Sequence, residues 1–426
     1  MAEHGALSIV VDIKPGKKQE LRDKFKEIEA AGIDNNNIVP FKKLKSIHFA
    51  RFVVFDEGID ATGKPFSARL AFTTNYDLPL NNHLQELIDN AGNGLWSIFS
   101  LCLNFPENEK YSAEKLLAYL KKNSGKTATF YVGVGHRSVL QIQNENELRE
   151  AIQNFVDSQK KTFTGKDPIY IRTKIIEFVN NNSDLSWAKT PAAKASLPEK
   201  IIFYGKFILV ILAFIALLPI IIPFVIVWML LIVINEITTK DVICKIEKNH
   251  VRSLVERETT IVQSQFSAMG NVKPGFIRKS TMMFLLRMTD FLAPYLFSKG
   301  KLSGIPTVQF ARWLIVNDGK QMIFLSNFDG NSENYLRDFI NIAGRQLTLM
   351  FCHTVGYPKT RLMWFGGAKD ADGFMAWARS FQVITNVWYS ANKNVTVKNI
   401  FNNSAIRDGL YGEMNEHETR KWLSKL

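Results

Sequence analysis

Cysteine is scarce. Cys102, Cys244 and Cys352 are the only three in 426 residues, and no two form a CxxC pair. That excludes a disulfide scaffold and suits a reducing compartment. Low-complexity tracts and long runs of one charge are also missing. With 46% hydrophobic and 22% charged residues, the chain reads as folded protein with a large core, long enough for two or three domains. The opening MAEHGALSIVV lacks the basic-then-apolar layout of a signal peptide, so the N-terminus is expected in the cytosol. HExxH, GxSxG, Walker A and EF-hand patterns are absent, and GVGHRS (133–138) lacks the third glycine and the βαβ context of a dinucleotide fingerprint. No zinc-finger, basic-zipper or RNP-type pattern accompanies the net charge of +13. The expected partner of that charge is therefore an anionic lipid surface, with no role for nucleic acid.

What the chain does have is one long apolar run. Residues 201–234, IIFYGKFILVILAFIALLPIIIPFVIVWMLLIVI, carry Lys206 as their single charge. A spanning helix needs about 20 apolar residues, and 34 are too many for one untilted crossing. Two arrangements follow. A single kinked helix would place the two halves of the chain on opposite sides of a membrane. A hairpin of two short helices turning at Pro219–Pro223 would return the chain to the side it left. Lysines at both ends (Lys194 and Lys200 before, Lys240, Lys245 and Lys248 after) fit two cytoplasmic flanks.

An internal repeat selects between them. DIKPGKKQELRDKF (12–25) is echoed by NVKPGFIRKSTMMFLL (271–286), and IHFARFVVFDE (47–57) by VQFARWLIVND (308–318). RLAFTTNYDLPLNNHLQELIDNAG (69–92) matches QMIFLSNFDGNSENYLRDFINIAG (321–344), and VLQIQNENELREAI (139–152) matches VKNIFNNSAIRDGL (397–410) without a gap. So many collinear matches indicate a duplication. Each copy reads strand–helix–strand–strand–helix–strand, the ferredoxin-like order. The last strand is placed at GLWSIFSLCLNF (94–105) and QLTLMFC (346–352). A further helix and strand follow: YSAEKLLAYLKKN and ATFYVGVG in the first copy, ADGFMAWARSFQ and TNVWYSA in the second. A ferredoxin-like sheet has one bare face. Two copies burying those faces together must lie on one side of the membrane. The expected fold is α+β: two ferredoxin-like repeats (1–160 and 261–426) packed as a pseudo-dimeric α+β barrel, with stems at 161–200 and 235–260 around a membrane hairpin at 201–234.

Four repeated positions could carry chemistry. Arg51 and Asp77, with Arg312 and Asp329 in the second copy, sit where neighbouring strands would bring them together, as a register-fixing ion pair or an anion clamp. Asn144, Arg149, Asn402 and Arg407 mark a second repeated set, with NNSAIRDGL as a helix start that could hold an anion. His353, near the end of the FCHTVGYP strand, could be an axial haem or metal ligand, and His48, replaced by Gln309 in the second copy, is the second candidate haem ligand; no other metal site is expected.

The IHFAR/VQFAR, TNYD/SNFDG and NNSAIRDGL motifs resemble those of a group of uncharacterised bacterial membrane-anchored proteins with duplicated ferredoxin-like modules, over nearly all of the chain outside 155–260. More distantly they are similar to the dimeric α+β barrel superfamily, which includes the dye-decolourising peroxidases and chlorite dismutases. SNFDG (326–330) echoes the peroxidases' GxxDG signature, with Ser326 in place of the first glycine. Two functions are expected. The first is a membrane-anchored binding or scaffold protein whose basic cytoplasmic body holds a lipid, an apolar ligand or a protein partner, alone or in a larger membrane complex. The second, implied by the resemblance, is a haem-dependent peroxidase or oxidase acting on apolar substrates, with His353 or His48 on the iron.

Overall fold

The computed structural model describes residues 3–106, 110–192, 196–239, 242–258, 262–297 and 301–426. The first half supplies strands β1 (His4–Asp12), β2 (Ile47–Phe55), β3 (Arg69–Asp77) and β4 (Thr129–Val132). The second half repeats them as β5 (Gln263–Asn271), β6 (Val308–Val316), β7 (Gln321–Asp329) and β8 (Val387–Ser390). The helices of the first half are α1 (Lys18–Ala30), α2 (Leu80–Phe99), α3 (Ala113–Lys122), α4 (Val139–Ser158) and α5 (Pro168–Asn181). The apolar segment forms α6 (Leu197–Ala216) and α7 (Leu218–Thr238). After α8 (Lys248–Arg257) come α9 (Phe276–Leu296), α10 (Ser332–Asn341), α11 (Gly344–Phe351), α12 (Ala371–Phe381), α13 (Val397–Asp408) and α14 (Glu416–Leu423).

The strands make two four-stranded antiparallel sheets, ordered β1-β3-β2-β8 and β4-β6-β7-β5. Each sheet therefore takes its last strand from the other copy: β8 pairs with β2, and β4 with β6. The registers repeat as the sequence does, down to a one-residue bulge at His48 in β2 and at Gln309 in β6. The KPG turns are equivalent too. Gly16 and Gly275 have φ of +77° and +107°, a backbone conformation that costs a side-chain-bearing residue energy.

Each sheet buries one face under its helices. Leu21, Phe25, Leu84, Leu95 and Phe99 cover the first, and Met282, Leu286, Tyr335 and Phe351 are among those covering the second. The other faces meet each other through Val53, Phe55, Ala71, Leu314, Ile323 and Leu325. The two sheets stay separate, and among the described residues no closed barrel forms.

Three expectations need correction. The segments 94–105 and 346–352 are not strands. The first continues α2 as far as Phe99, and the second lies mostly within α11. Leu84, Leu87, Ile88, Ala91, Leu95, Ile98 and Phe99 fall on one helical face, so burial extends the helix through its two glycines. The fourth strand of each copy is instead the later one, and it crosses to the other sheet. Second, the apolar segment does not turn at Pro219–Pro223. Pro219 opens α7, where its missing N–H is harmless, and Pro223 lies inside the helix. The break comes at Leu217, and α7 is the one helix long and apolar enough to cross a membrane among the described residues. Third, the first stem is largely part of the body. Ile175 and Val179 of α5 share a core with Leu148, Ile406 and Trp422 from α4, α13 and α14.

Candidate functional site

The arginines of the FAR motifs do not meet the aspartates. Arg51 stands opposite Thr73, and Arg312 opposite Leu325. Their side chains point between the sheets and cross to the other copy. Arg51 donates to the carbonyls of Phe266 (2.9 Å) and Ser326 (2.9 Å), to Ser267 Oγ (3.0 Å) and to Asn327 Oδ1. Arg312 mirrors it on the carbonyls of Leu7 (2.6 Å) and Thr74 (2.7 Å) and on Ser8 Oγ (2.9 Å). Asn327 Nδ2 donates to Asn75 Oδ1 (3.1 Å), a further bond between the two copies. Burial pulls both arginines down to about 9, helped at Arg51 by the charge of Arg312, which leaves both charged at neutral pH. Their acceptors are all neutral. The seam is a cross-sheet rivet rather than an anion clamp.

The aspartates do something else. Asp77 ends β3 and Asp329 ends β7. One oxygen of each accepts from the first backbone N–H of a following helix: Val139 of α4 (2.9 Å) and Val397 of α13 (2.7 Å). A carboxylate suits a helix N-terminus, where unpaired N–H groups and the helix dipole concentrate positive charge. The other oxygen takes the bulged residue of the neighbouring strand. In the second copy Gln309 Nε2 donates to Asp329 Oδ1 (2.7 Å). In the first, His48 Nε2 lies 2.8 Å from Asp77 Oδ1. His4, opposite Asp77 in the ladder, brings its Nε2 within 3.7 Å of the same oxygen and 2.9 Å of the Arg137 carbonyl. Both imidazoles are 2% exposed and Asp77 is 20% exposed. Burial, then the adjacent His48, lowers His4 to about 4, so its ring is neutral at physiological pH. One donor atom from each of His4, His48 and Asp77 falls within 4.8 Å of the others, close enough to share a metal ion. Sequence reasoning found His48 and Asp77 but missed His4. The signal was available: Gln263 is its counterpart, as Gln309 is that of His48.

The loop over these residues, Gly135–Ser138, forms one wall of a cleft of about 580 Å³. Helices α4 and α13 form the rest, with Trp187 and Ala192 at one end. Asn144 and Arg407 line it, together with Arg137, Glu145 and Asp408. Buried Glu145 is paired with Arg407 (3.3 Å) and with the hydroxyl of Ser404, which also accepts from Arg137 Nε (2.5 Å). Arg149 and Asn402 lie outside the cleft, Asn402 donating to the carbonyl of Lys425 (2.7 Å). NNSAIRDGL does not start a helix either. Thr396 caps α13, and Asn402 is well inside it.

His353 follows α11 rather than a strand, and it is fully buried with both ring nitrogens unpartnered. Burial, then Arg278 and Lys273, lowers it to about 3. It presents no open face to a haem, the inner faces of the sheets are packed together, and His48 is held by Asp77. No family model, curated protein or solved structure matches this chain.

Proposed function

We propose that the protein is a membrane-anchored binding or scaffold protein, with its two-sheet body on the cytoplasmic face. The observation that carries this reading is α7, an 18-residue stretch of which has mean hydropathy 2.7 and is only 6% buried. Ile220, Phe224, Ile226, Leu230 and Ile234 face outward with no protein over them. Neighbouring helices extend the surface: Leu209 and Phe214 on α6, and Phe276 and Phe284 on α9, are more than half exposed. An apolar surface of this extent belongs in lipid or against another apolar helix. The shared sheets add a constraint. Residues on both sides of the apolar segment belong to one body, which a single crossing by α7 would split; in this reading the apolar helices therefore embed in one leaflet beside the body without carrying the chain across. Lys200, Lys245 and Lys248 flank it and Lys206 lies near its start, which favours the cytoplasmic side and an anionic leaflet.

Within the body, the roomiest feature described above is the cleft over Arg137 and Arg407. Its lining of two arginines and two carboxylates favours a polar ligand or partner segment over an apolar one. The apolar space in the second copy, among Phe266, Phe324, Phe351 and Trp377, is about 30 Å³, room for little more than a water molecule.

Fractionation tests the anchor. The protein is expected in the membrane pellet after an alkaline carbonate wash and to need detergent for release. Ile220→Asp with Phe224→Asp and Leu230→Asp should move it to the soluble fraction with its circular dichroism intact. Recovery of the unaltered protein without detergent would overturn the reading.

A further inference from the structure

The two copies solve the same local problem with different residues. Asp329 at the end of β7 is met by Gln309 on the bulge and lies opposite Gln263 at the start of β5. Gln263 Nε2 donates to the Val395 carbonyl (2.6 Å) and Gln309 Nε2 to Asp329 Oδ1 (2.7 Å). The first copy keeps the geometry and changes the chemistry. Val395 corresponds to Arg137, and His4 Nε2 lies 2.9 Å from the Arg137 carbonyl. His48 Nε2 lies 2.8 Å from Asp77 Oδ1. The bonds that the two copies share at these positions need only an N–H donor, and an amide supplies it. Two imidazoles occupy them instead, in a chain with seven histidines in all. An amide nitrogen cannot ligate a cation, whereas a neutral imidazole can.

We propose that His4, His48 and Asp77 form a binding site for one divalent first-row transition-metal ion of the zinc–iron class, a site that the second copy lacks. Two imidazoles and one carboxylate are a donor set these ions take, often with open positions left for other ligands. Bonds of roughly 2.0–2.1 Å place tetrahedral donors about 3.3 Å apart. His48 Nε2 and His4 Nε2 stand 2.8 and 3.7 Å from Asp77 Oδ1, so small side-chain movements bring all three into place. Binding requires each Nε2 to release its proton, with the ring N–H moving to Nδ1. The Arg137 carbonyl, or a water entering past the partly exposed Asp77, completes the shell. The bulge at His48 is the backbone device that turns this side chain towards Asp77. The α4 N-terminus, through Val139, fixes the carboxylate from its other oxygen.

The repeat itself supplies the control. His4→Gln with His48→Gln places in the first copy the same two amide donors that the second already uses, so the fold should be kept. Detergent-purified full-length protein without a histidine tag, stripped by chelator and refilled, is expected to retain one zinc per chain after gel filtration. Cobalt(II) should give visible d–d absorption. The double variant should fall from one zinc to none, lose the cobalt spectrum, and keep the melting temperature of the metal-free parent. If it does not fold, Asp77→Asn decides, because it keeps an oxygen for the Val139 N–H; it should lose the metal as well. No metal on the parent, or undiminished metal on whichever variant folds, would overturn the proposal.

Discussion

At the scale of residues, the centre of the molecule holds two positive charges with no carboxylate beside them among the described residues. Burying a guanidinium is costly, and it is tolerated here because seven neutral acceptors are arranged around two planar forks. The sequence showed the arginines as a repeated pair but not their partners, which lie 215 to 305 residues away along the chain. No local spacing encodes a contact across two sheets, so the nearest repeated carboxylate looked like the mate. The aspartates have their own electrostatic consequence. Burial raises Asp329 to about 7, against the lowering effect of its bonds from Gln309 and Val397. An unfolded aspartate titrates near 3.9. Between those values the native state holds a proton that the unfolded state has released, so this group's contribution to stability falls as pH rises through that window. Asp329→Asn mimics the protonated form. The parent is expected to lose roughly 3 °C of melting temperature relative to the variant between pH 5 and pH 8. Thermal melts at both pH values check this. A parent that gains on the variant as pH rises would mean that the ionised carboxylate at the α13 N-terminus is the stabilising form.

At the scale of elements, periodicity was a good guide where a face was half buried and a poor one where glycine interrupted it. The strands β1, β2, β3, β6 and β7 and the helices after each KPG were legible from alternation, turn residues and repetition. GLWSIFSLCLNF was not, because an apolar run after AGNG suggests a new strand. Its glycines serve packing instead. A Cβ at Gly94 would run into the backbone carbonyl of Ile38, in the loop that α2 crosses. Backbone cannot step aside as a side-chain end can. Gly94→Ala is therefore expected to destabilise by about 2 kcal/mol or more despite alanine's better helix propensity. Gly205, in α6, has nothing near its missing Cβ, and Gly205→Ala should be neutral or slightly favourable. Urea unfolding of the two variants in the same detergent makes the comparison. Equal midpoints would show that the α2–loop approach is looser than the close contact described above.

At the scale of the whole molecule, the duplication was readable and the exchange of strands was not, because strand order depends on pairings that leave no mark on either copy alone. Yet the exchange determines most of what the molecule can do. Without β8 the first sheet ends at β2, and without β4 the second ends at β6, each presenting an unpaired strand edge. Without the opposite sheet, Val53, Phe55, Ala71, Leu314, Ile323 and Leu325 lose their cover, and both arginine forks lose their acceptors. Residues 1–196 and 197–426 produced separately should therefore each aggregate or remain poorly packed. Produced together they should assemble as a one-to-one complex, because every lost pairing is restored by the other piece and the severed bond lies at the mouth of the apolar segment, away from both sheets. Co-purification through a tag on one piece, followed by a thermal melt, reads this directly. A first half that folds alone with a sharp melt would show the exchanged strand to be dispensable to that half.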